Sequence, residues 1–333
     1  MTATANQTNP APAPRRLPLG RTGQTLALGL VLVLLAGALR STDESGIDRD
    51  RFWINKIRWQ GVADVVIAGD SRSYLGVSPA HLAPYLGNAR VYNFGFDAAG
   101  FYGHYLDAAE RLLDPQSITP RFILCVTPRS LTPEAEGFNG FRAFVGELRT
   151  RSWLELQVPE FFSFFKPMDA GDLWHGIFPF LKKRHFYREY HADGWMAGDR
   201  VPPKFGFNLE EYQNRVFVKN TVDPARVEEL LTYVQRWTAR GIRVYSLRPP
   251  TCKAMLKVEQ RLSGFDEDGF VKAFTAAGGV WLPTDQTGYL TFDDSHLRRD
   301  DAIRFTNDLG RQLQALEQAR QPAAEAPHRP SGR

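Results

Sequence analysis

The feature that most restricts this chain is an alternation of short apolar runs with helix-patterned segments. The first run, Ala63-Asp64-Val65-Val66-Ile67-Ala68, stops abruptly at Gly69-Asp70-Ser71, and a strand is predicted over 64–68. Further strands are predicted over 90–94, 121–126, 242–247 and 279–282. Three of them close on turns: Asn93-Phe94-Gly95, Thr127-Pro128-Arg129-Ser130 and Arg248-Pro249-Pro250. A helix is predicted over 79–86, with Ser78 as its cap and Pro79 at its first position. Others are predicted over 100–113, 224–240, 260–277 with interruptions, and 299–319. Such an alternation implies βαβ units, and so a central parallel sheet of about five strands between two helical layers. The expected fold is a flavodoxin-like three-layer α/β sandwich.

In such a sheet the ligand crevice lies beyond the carboxyl ends of the strands. Ser71 is delivered there by the first strand, and the Asn93, Thr127 and Arg248 turns gather at the same edge. Far along the chain, Asp293-Asp294-Ser295-His296 supplies a carboxylate and an imidazole three residues apart, just before the last helix. A serine hydroxyl is a weak nucleophile that needs a base. An imidazole with a reference pKa of about 6.5 can take its proton and return it. His296 is the base candidate and Asp293 the group that orients it, with Asp294 as the alternative orienter. Asp70 is expected to be structural. The oxyanion of an acyl-transfer intermediate needs aimed donors. The Ser71 N–H is one, and the turn 93–100 offers another. This kit requires no cofactor. No metal site is expected from His175, His185 and His191, and no cysteine spacing suits zinc.

These motifs resemble those of the SGNH/GDSL hydrolase superfamily, and in particular its membrane-anchored branch linked to acylation of cell-surface polysaccharides. Gly69-Asp70-Ser71 matches the nucleophile block, Asn93-Phe94-Gly95 resembles the second block, and Asp293-x-x-His296 matches the last. The specific matches cover few residues, although the topology extends over 60–315. The resemblance implies a Ser71–His296–Asp293 triad, with Gly95, Ala98 and Gly100 as sources of oxyanion donors. It departs from the pattern in three places. Ala98 stands where the oxyanion glycine is usual, and Gly100 lies two residues on. The third block, Gly-x-Asn-Asp, is replaced by Thr127-Pro128-Arg129-Ser130, so its Asn donor is missing; Arg129, Ser130 or Asn139 are the available substitutes. Losing one such donor costs typically about 3–4 kcal/mol of transition-state stabilisation. Arg72 replaces a leucine, which offers either a contact to a substrate carboxylate or sugar phosphate or a salt bridge to a neighbouring loop. Arg248, after the fourth strand, is a further candidate substrate contact.

The implied activity is acyl-ester chemistry, O-acetyl transfer to or removal from a cell-surface glycan. The sequence leaves transferase and hydrolase open. It also leaves open a non-catalytic assembly component and a simple lipase or esterase. The branch implies a multipass membrane acyltransferase as partner.

The remaining sequence sets the context. Residues 1–40 contain Arg15, Arg16, Arg21 and Arg40 and no acid, which accounts for the whole net charge of +4; the other 37 basic and 37 acidic residues cancel. A neutral body argues against a general nucleic-acid surface. Residues 1–21 read as a disordered basic tail and 22–40 as a signal anchor, with a signal peptide cleaved near Ala36-Gly37-Ala38 as the alternative. Positive-inside logic puts the body outside the cytoplasm, in the periplasm if the cell has two membranes. Residues 41–60 read as a linker, 61–320 as the folded domain and 321–333 as a disordered tail. Residues 138–220 interrupt the strand rhythm with an aromatic-rich stretch including Trp153, Trp174, Trp195 and Phe161-Phe162-Ser163-Phe164-Phe165. This stretch is expected to be a mainly helical insertion over the sheet edge, either a packed cap or a groove with aromatic platforms. Cys125 reads as a small core residue, with a disulfide to Cys252 as the alternative.

Overall fold

The computed structural model describes residues 19–38, 49–137, 139–150 and 186–320. Residues 1–18, 39–48, 138, 151–185 and 321–333 lie outside it, and with them the expected C-terminal tail, the expected N-terminal tail up to residue 18, Trp153, Trp174, His175, His185 and the Phe161–Phe165 cluster.

The apolar runs form five parallel strands: β1 (Val65–Gly69), β2 (Val91–Asn93), β3 (Arg121–Cys125), β6 (Arg243–Leu247) and β7 (Val280–Trp281). Their order is β2-β1-β3-β6-β7, with Val65 opposite both Val91 and Arg121. Each strand alternates its side chains between two apolar layers. Val66, Ala68, Phe122, Leu124 and Val244 face one layer; Val65, Ile67, Ile123, Cys125, Tyr245 and Leu247 face the other. Burial on both faces is why the strands read as continuous apolar runs.

The first layer receives helices α4 (Gly103–Glu110), α5 (Pro224–Ala239) and α7 (Glu267–Ala276). Trp237 of α5 stacks on Phe122 with ring centroids 4.1 Å apart. The second layer receives Ala302, Phe305, Leu309 and Leu313 of the last helix, α8 (Arg299–Arg320). The interrupted helix expected over 260–277 is two helices. Helix α6 (Lys253–Leu262) ends before Gly264, and Asp266 caps α7 by accepting the Gly269 N–H. Both cysteines are free; Cys125 is buried in β3 and Cys252 caps α6.

One expected boundary is corrected. Residues 49–58, assigned to a linker, form helix α2 (Arg49–Arg58), whose Phe52, Trp53, Ile54 and Lys56 are buried. Trp53 packs on Tyr74, Phe96 and Phe144, and Phe52 packs on Tyr190. The alternation of charged and bulky residues is therefore helical amphipathicity around an aromatic seam.

The described part of the insertion contains an antiparallel hairpin, β4 (Phe186–Tyr190) and β5 (Met196–Arg200), absent from the helical expectation. Its turn docks on β2. Asn93 N–H donates to the Asp193 carbonyl, and a Cβ on Gly194 would lie 2.1 Å from the Asn93 carbonyl oxygen. Trp195 is buried, with its indole N–H on the Leu75 carbonyl, so it is no platform for a ligand.

Helix α1 (Leu19–Ala38) belongs to a separate compact unit and exposes Leu26, Leu28, Leu30, Val31, Leu32, Val33, Leu34 and Leu35. Among the described residues, no helix is long and apolar enough to cross a membrane.

Candidate active site

Strand β1 ends at Gly69, where a Cβ would lie 2.7 Å from the Cys125 carbonyl oxygen, so the close approach of β3 requires glycine there. The buried Tyr105 hydroxyl accepts the Gly69 N–H at 2.8 Å and lies 3.0 Å from the carbonyls of Gly69 and Phe94. It pins the ends of β1 and β2 together. Asp70 then caps the short helix α3 (Ser71–Gly76), accepting the Arg72 N–H at 3.0 Å and the Thr127 hydroxyl at 2.6 Å. This turn presents Ser71 at the carboxyl end of the sheet, between the ends of β1 and β3. That is where strand order reverses in this topology, the usual ligand crevice of such sheets.

Ser71 Oγ lies 2.8 Å from His296 Nε2. His296 Nδ1 lies 2.8 Å from Asp293 Oδ2 and 3.0 Å from Oδ1. Oδ1 also accepts the His296 N–H at 2.9 Å and the Ser295 N–H at 3.3 Å, so the carboxylate is fixed by its own loop before it meets the ring. Burial alone would push the Asp293 carboxyl up, but the His296 charge and these hydrogen bonds hold it below its ordinary value. Burial opposes charging of His296, yet the Asp293 carboxylate outweighs it and raises the imidazole. Asp294 faces elsewhere: its Oδ2 accepts the Gly206 N–H at 2.7 Å, and its carbonyl accepts from Thr251 and Cys252.

The oxyanion candidates separate. The Gly95 N–H goes to Asn93 Oδ1 at 2.9 Å, and the Gly95 carbonyl accepts from Lys56 Nζ at 2.8 Å. Gly95 is glycine because a Cβ would lie 2.8 Å from both Ser73 Oγ and Tyr74 N. Gly100 is buried where a Cβ would meet that of Ala135 at 2.6 Å, and its N–H has no acceptor among the described residues. Ala98 is half-buried in a left-handed conformation, φ 51°. Among the described residues, neither the Ala98 N–H nor the Ser71 N–H has an acceptor. Of the substitutes for the missing Asn, Ser130 closes its own turn on Thr127. Asn139 donates to the Ala135 and Glu136 carbonyls. Arg129 alone keeps an unclaimed donor, its buried Nη1.

The other two arginines are largely enclosed. Arg72 places Nη2 2.7 Å from Glu259 and Nε 3.0 Å from Ser295 Oγ. Arg248 binds Glu259 at 2.9 Å and Glu267 at 2.5 Å and is 3 % exposed, with its buried Nε left without a partner among the described residues. The insertion flanks the loop that carries His296. Gly206 donates to Asp294, Asn208 donates to the Asp293 carbonyl, and Phe205 and Phe207 stand 59 % and 56 % exposed.

No family model, curated protein or solved structure matches this chain. Among the described residues, no cluster of histidines, cysteines and carboxylates could hold a metal ion.

Sequence reasoning missed Lys56, Tyr105, Tyr212 and Glu259. Tyr105 stands within the helix predicted over 100–113, where only its hydroxyl distinguishes it from a core phenylalanine. Lys56 offered one signal, a lone lysine on the face of Phe52 and Trp53. Glu259 offered none, because its partners Arg72 and Arg248 are distant in sequence.

Proposed function

We propose that this protein is a serine acyl-ester enzyme of SGNH type, acting on O-acyl groups of a cell-surface glycan. The observation that carries the reading is the unbroken chain from Ser71 Oγ through His296 to Asp293, both of its links 2.8 Å. With Nδ1–H donated to Asp293, Nε2 is free to take the Ser71 proton as Oγ bonds to the ester carbonyl carbon. The carbonyl oxygen becomes an oxyanion, for which the Ser71, Ala98 and Gly100 N–H groups, none of them with an acceptor among the described residues, are candidate donors. Collapse breaks the bond to the alkoxy leaving group, which takes the proton back from His296 and leaves an acyl-serine. A water or a sugar hydroxyl, deprotonated by the same imidazole, then attacks the acyl carbon and releases Ser71. Water gives ester hydrolysis and a sugar hydroxyl gives transfer.

The exposed Phe205 and Phe207 beside the Asp293 loop support a sugar-bearing substrate, since aromatic faces stack on pyranose rings. The basic flank of Arg15, Arg16 and Arg21 and the apolar run through Leu39 support an N-terminal signal anchor with the body outside the cytoplasm. A multipass acyl donor protein as partner rests on the family resemblance.

The test is a fluorophosphonate probe that labels activated serines. The full chain should form a one-to-one adduct on Ser71, located by peptide mass spectrometry, and Ser71→Ala and His296→Ala should not. Equal labelling of wild type and His296→Ala would refute the triad.

A further inference from the structure

Two buried guanidinium nitrogens next to the nucleophile have no partner among the described residues: Nη1 of Arg72 and Nη1 of Arg129. Arg72 follows Ser71 directly, and its side chain is 2 % exposed. Arg129 stands in the turn after β3, the strand beside β1, and this turn meets the nucleophile turn through Thr127 and Asp70. Both guanidinium charges act on one group, the Tyr212 phenol. The Tyr212 ring centroid lies 5.9 Å from the Arg72 guanidinium carbon. Burial pushes the Tyr212 hydroxyl up to about 12, and the charges of Arg72 and Arg129 oppose that rise. Tyr212 opens a π-helical turn, Tyr212–Val216, of the insertion. Such turns recur at functional sites.

The nearby anions are already committed. Glu259 is shared between Arg72 and Arg248, and Glu267 holds Arg248. Asp70 binds the Arg72 backbone N–H and the Thr127 hydroxyl. Among the described residues, Arg129 has no carboxylate partner. A buried donor without an acceptor is unfavourable, and a guanidinium donor more so. Two unclaimed donors on the neighbouring β1 and β3 turns, which meet through Thr127 and Asp70, are matched by a ligand carrying a compact oxyanion, because guanidinium N–H groups make strong charge-assisted bonds to carboxylate and phosphate oxygens.

We propose that Arg72 and Arg129, with Tyr212 beside them, form an anion subsite next to Ser71 that receives the carboxylate or phosphate group of an acidic glycan. The inference rests on the reading of Ser71 as a nucleophile toward glycan esters and specifies which glycans it meets. The neutral charge of the body gives no general attraction for polyanions, so recognition falls to this one site. An acidic sugar next to the esterified one fits this arrangement, and the anion sets which ester reaches Ser71.

The test is equilibrium binding to the full chain in detergent, carrying Ser71→Ala so that no turnover occurs. The probes are trigalacturonic acid for carboxylate, galactose 6-phosphate for phosphate, and neutral galactotriose. One acidic probe should bind at least about 10-fold more tightly than galactotriose, and which one does so distinguishes the two anions. Arg129→Gln should abolish the preference and Arg129→Lys should retain part of it, with melting temperatures checked in parallel. The inference is overturned if both acidic probes bind no better than galactotriose, or if a folded Arg129→Gln keeps the preference. Should both variants unfold, wild-type preference that does not weaken with added salt overturns it instead. Hydrolysis of the uncharged ester 4-nitrophenyl acetate by the wild type is scored separately. Hydrolysis without anion preference defeats the subsite alone, and anion preference without hydrolysis defeats the catalytic reading alone.

Discussion

Replacing Asp293 by asparagine tests the site more sharply than removing the nucleophile, because the structure dictates how the new side chain must sit. Asp293 Oδ1 accepts two backbone N–H groups, from His296 at 2.9 Å and Ser295 at 3.3 Å. The asparagine carbonyl oxygen must occupy that position, which puts its NH2 at the Oδ2 position, 2.8 Å from His296 Nδ1. Nδ1 must then accept, so the proton moves to Nε2, the nitrogen facing Ser71 Oγ. The ring is held in place but in the tautomer that cannot take the serine proton. The corresponding change in a serine-protease triad lowers kcat about 10⁴-fold. That is about 5.5 kcal/mol at 1.36 kcal/mol per decade. The loop hydrogen bonds survive, so folding should change little. The pH profile has a fixed sign. The reactive form has a neutral His296, whose pKa is raised by Asp293 against the opposing effect of burial. Wild-type activity should therefore rise with pH through a limb above about 6.5, the ordinary imidazole value. In Asp293→Asn the residual activity should rise through a limb at lower pH, because burial remains and the carboxylate is gone. The assay is kcat for 4-nitrophenyl acetate across pH, with urea unfolding on the same samples. A loss of less than about 10-fold would refute the orienting role, as would an equal loss in Asp294→Asn with its fold intact.

Two further outcomes follow from the walls of the site. Ala98→Gly should raise unfolding free energy by up to about 1 kcal/mol in urea titrations, because a non-glycine residue at φ 51° is strained; a loss of stability would show that the Ala98 methyl packs. Lys56→Met should lower stability by about 1–3 kcal/mol, because it leaves the buried Gly95 carbonyl without its donor, and it should reduce kcat more than KM through displacement of the 95–98 turn; an unchanged kcat would separate α2 from the site.

The sheet was legible because parallel strands buried on both faces leave unbroken apolar runs. Residues 121–126 illustrate it: the run reads as a strand, and Arg121–Cys125 is one, with edges differing by a single residue. The triad was legible because strand ends and the final loop obey a topological rule that brings Ser71 and His296 to one edge from 225 residues apart. The same rule places Arg248 at that edge but says nothing of Glu259 and Glu267, which bind it there. Helix α2 went unread because its burial is decided by Tyr74, Phe96, Phe144 and Tyr190, none of them near it in sequence. The hairpin went unread for a related reason: among the described residues Phe186–Tyr190 pairs only with Met196–Arg200, and its turn is fixed by the approach of Gly194 to Asn93.

The enclosed charges also account for the precision of the triad. Ser71 and His296 come from separate loops, and a 2.8 Å contact between them needs both loops held relative to each other. Arg72 supplies that tie. Its backbone N–H is bound by the Asp70 cap, and its Nε donates to Ser295, the residue before His296. Its Nη2 is anchored on Glu259 of α6, which also holds Arg248 at the end of β6. One side chain therefore joins the nucleophile turn, the base loop and the next strand end. A leucine at position 72 could fill space but could not bond Ser295 or Glu259. Removing one member of such a buried ion network typically costs about 3–5 kcal/mol, because the remaining charge is left without compensation. The arginine thus works first as the brace that aligns Ser71 with His296, and only its remaining Nη1 is left to meet a ligand.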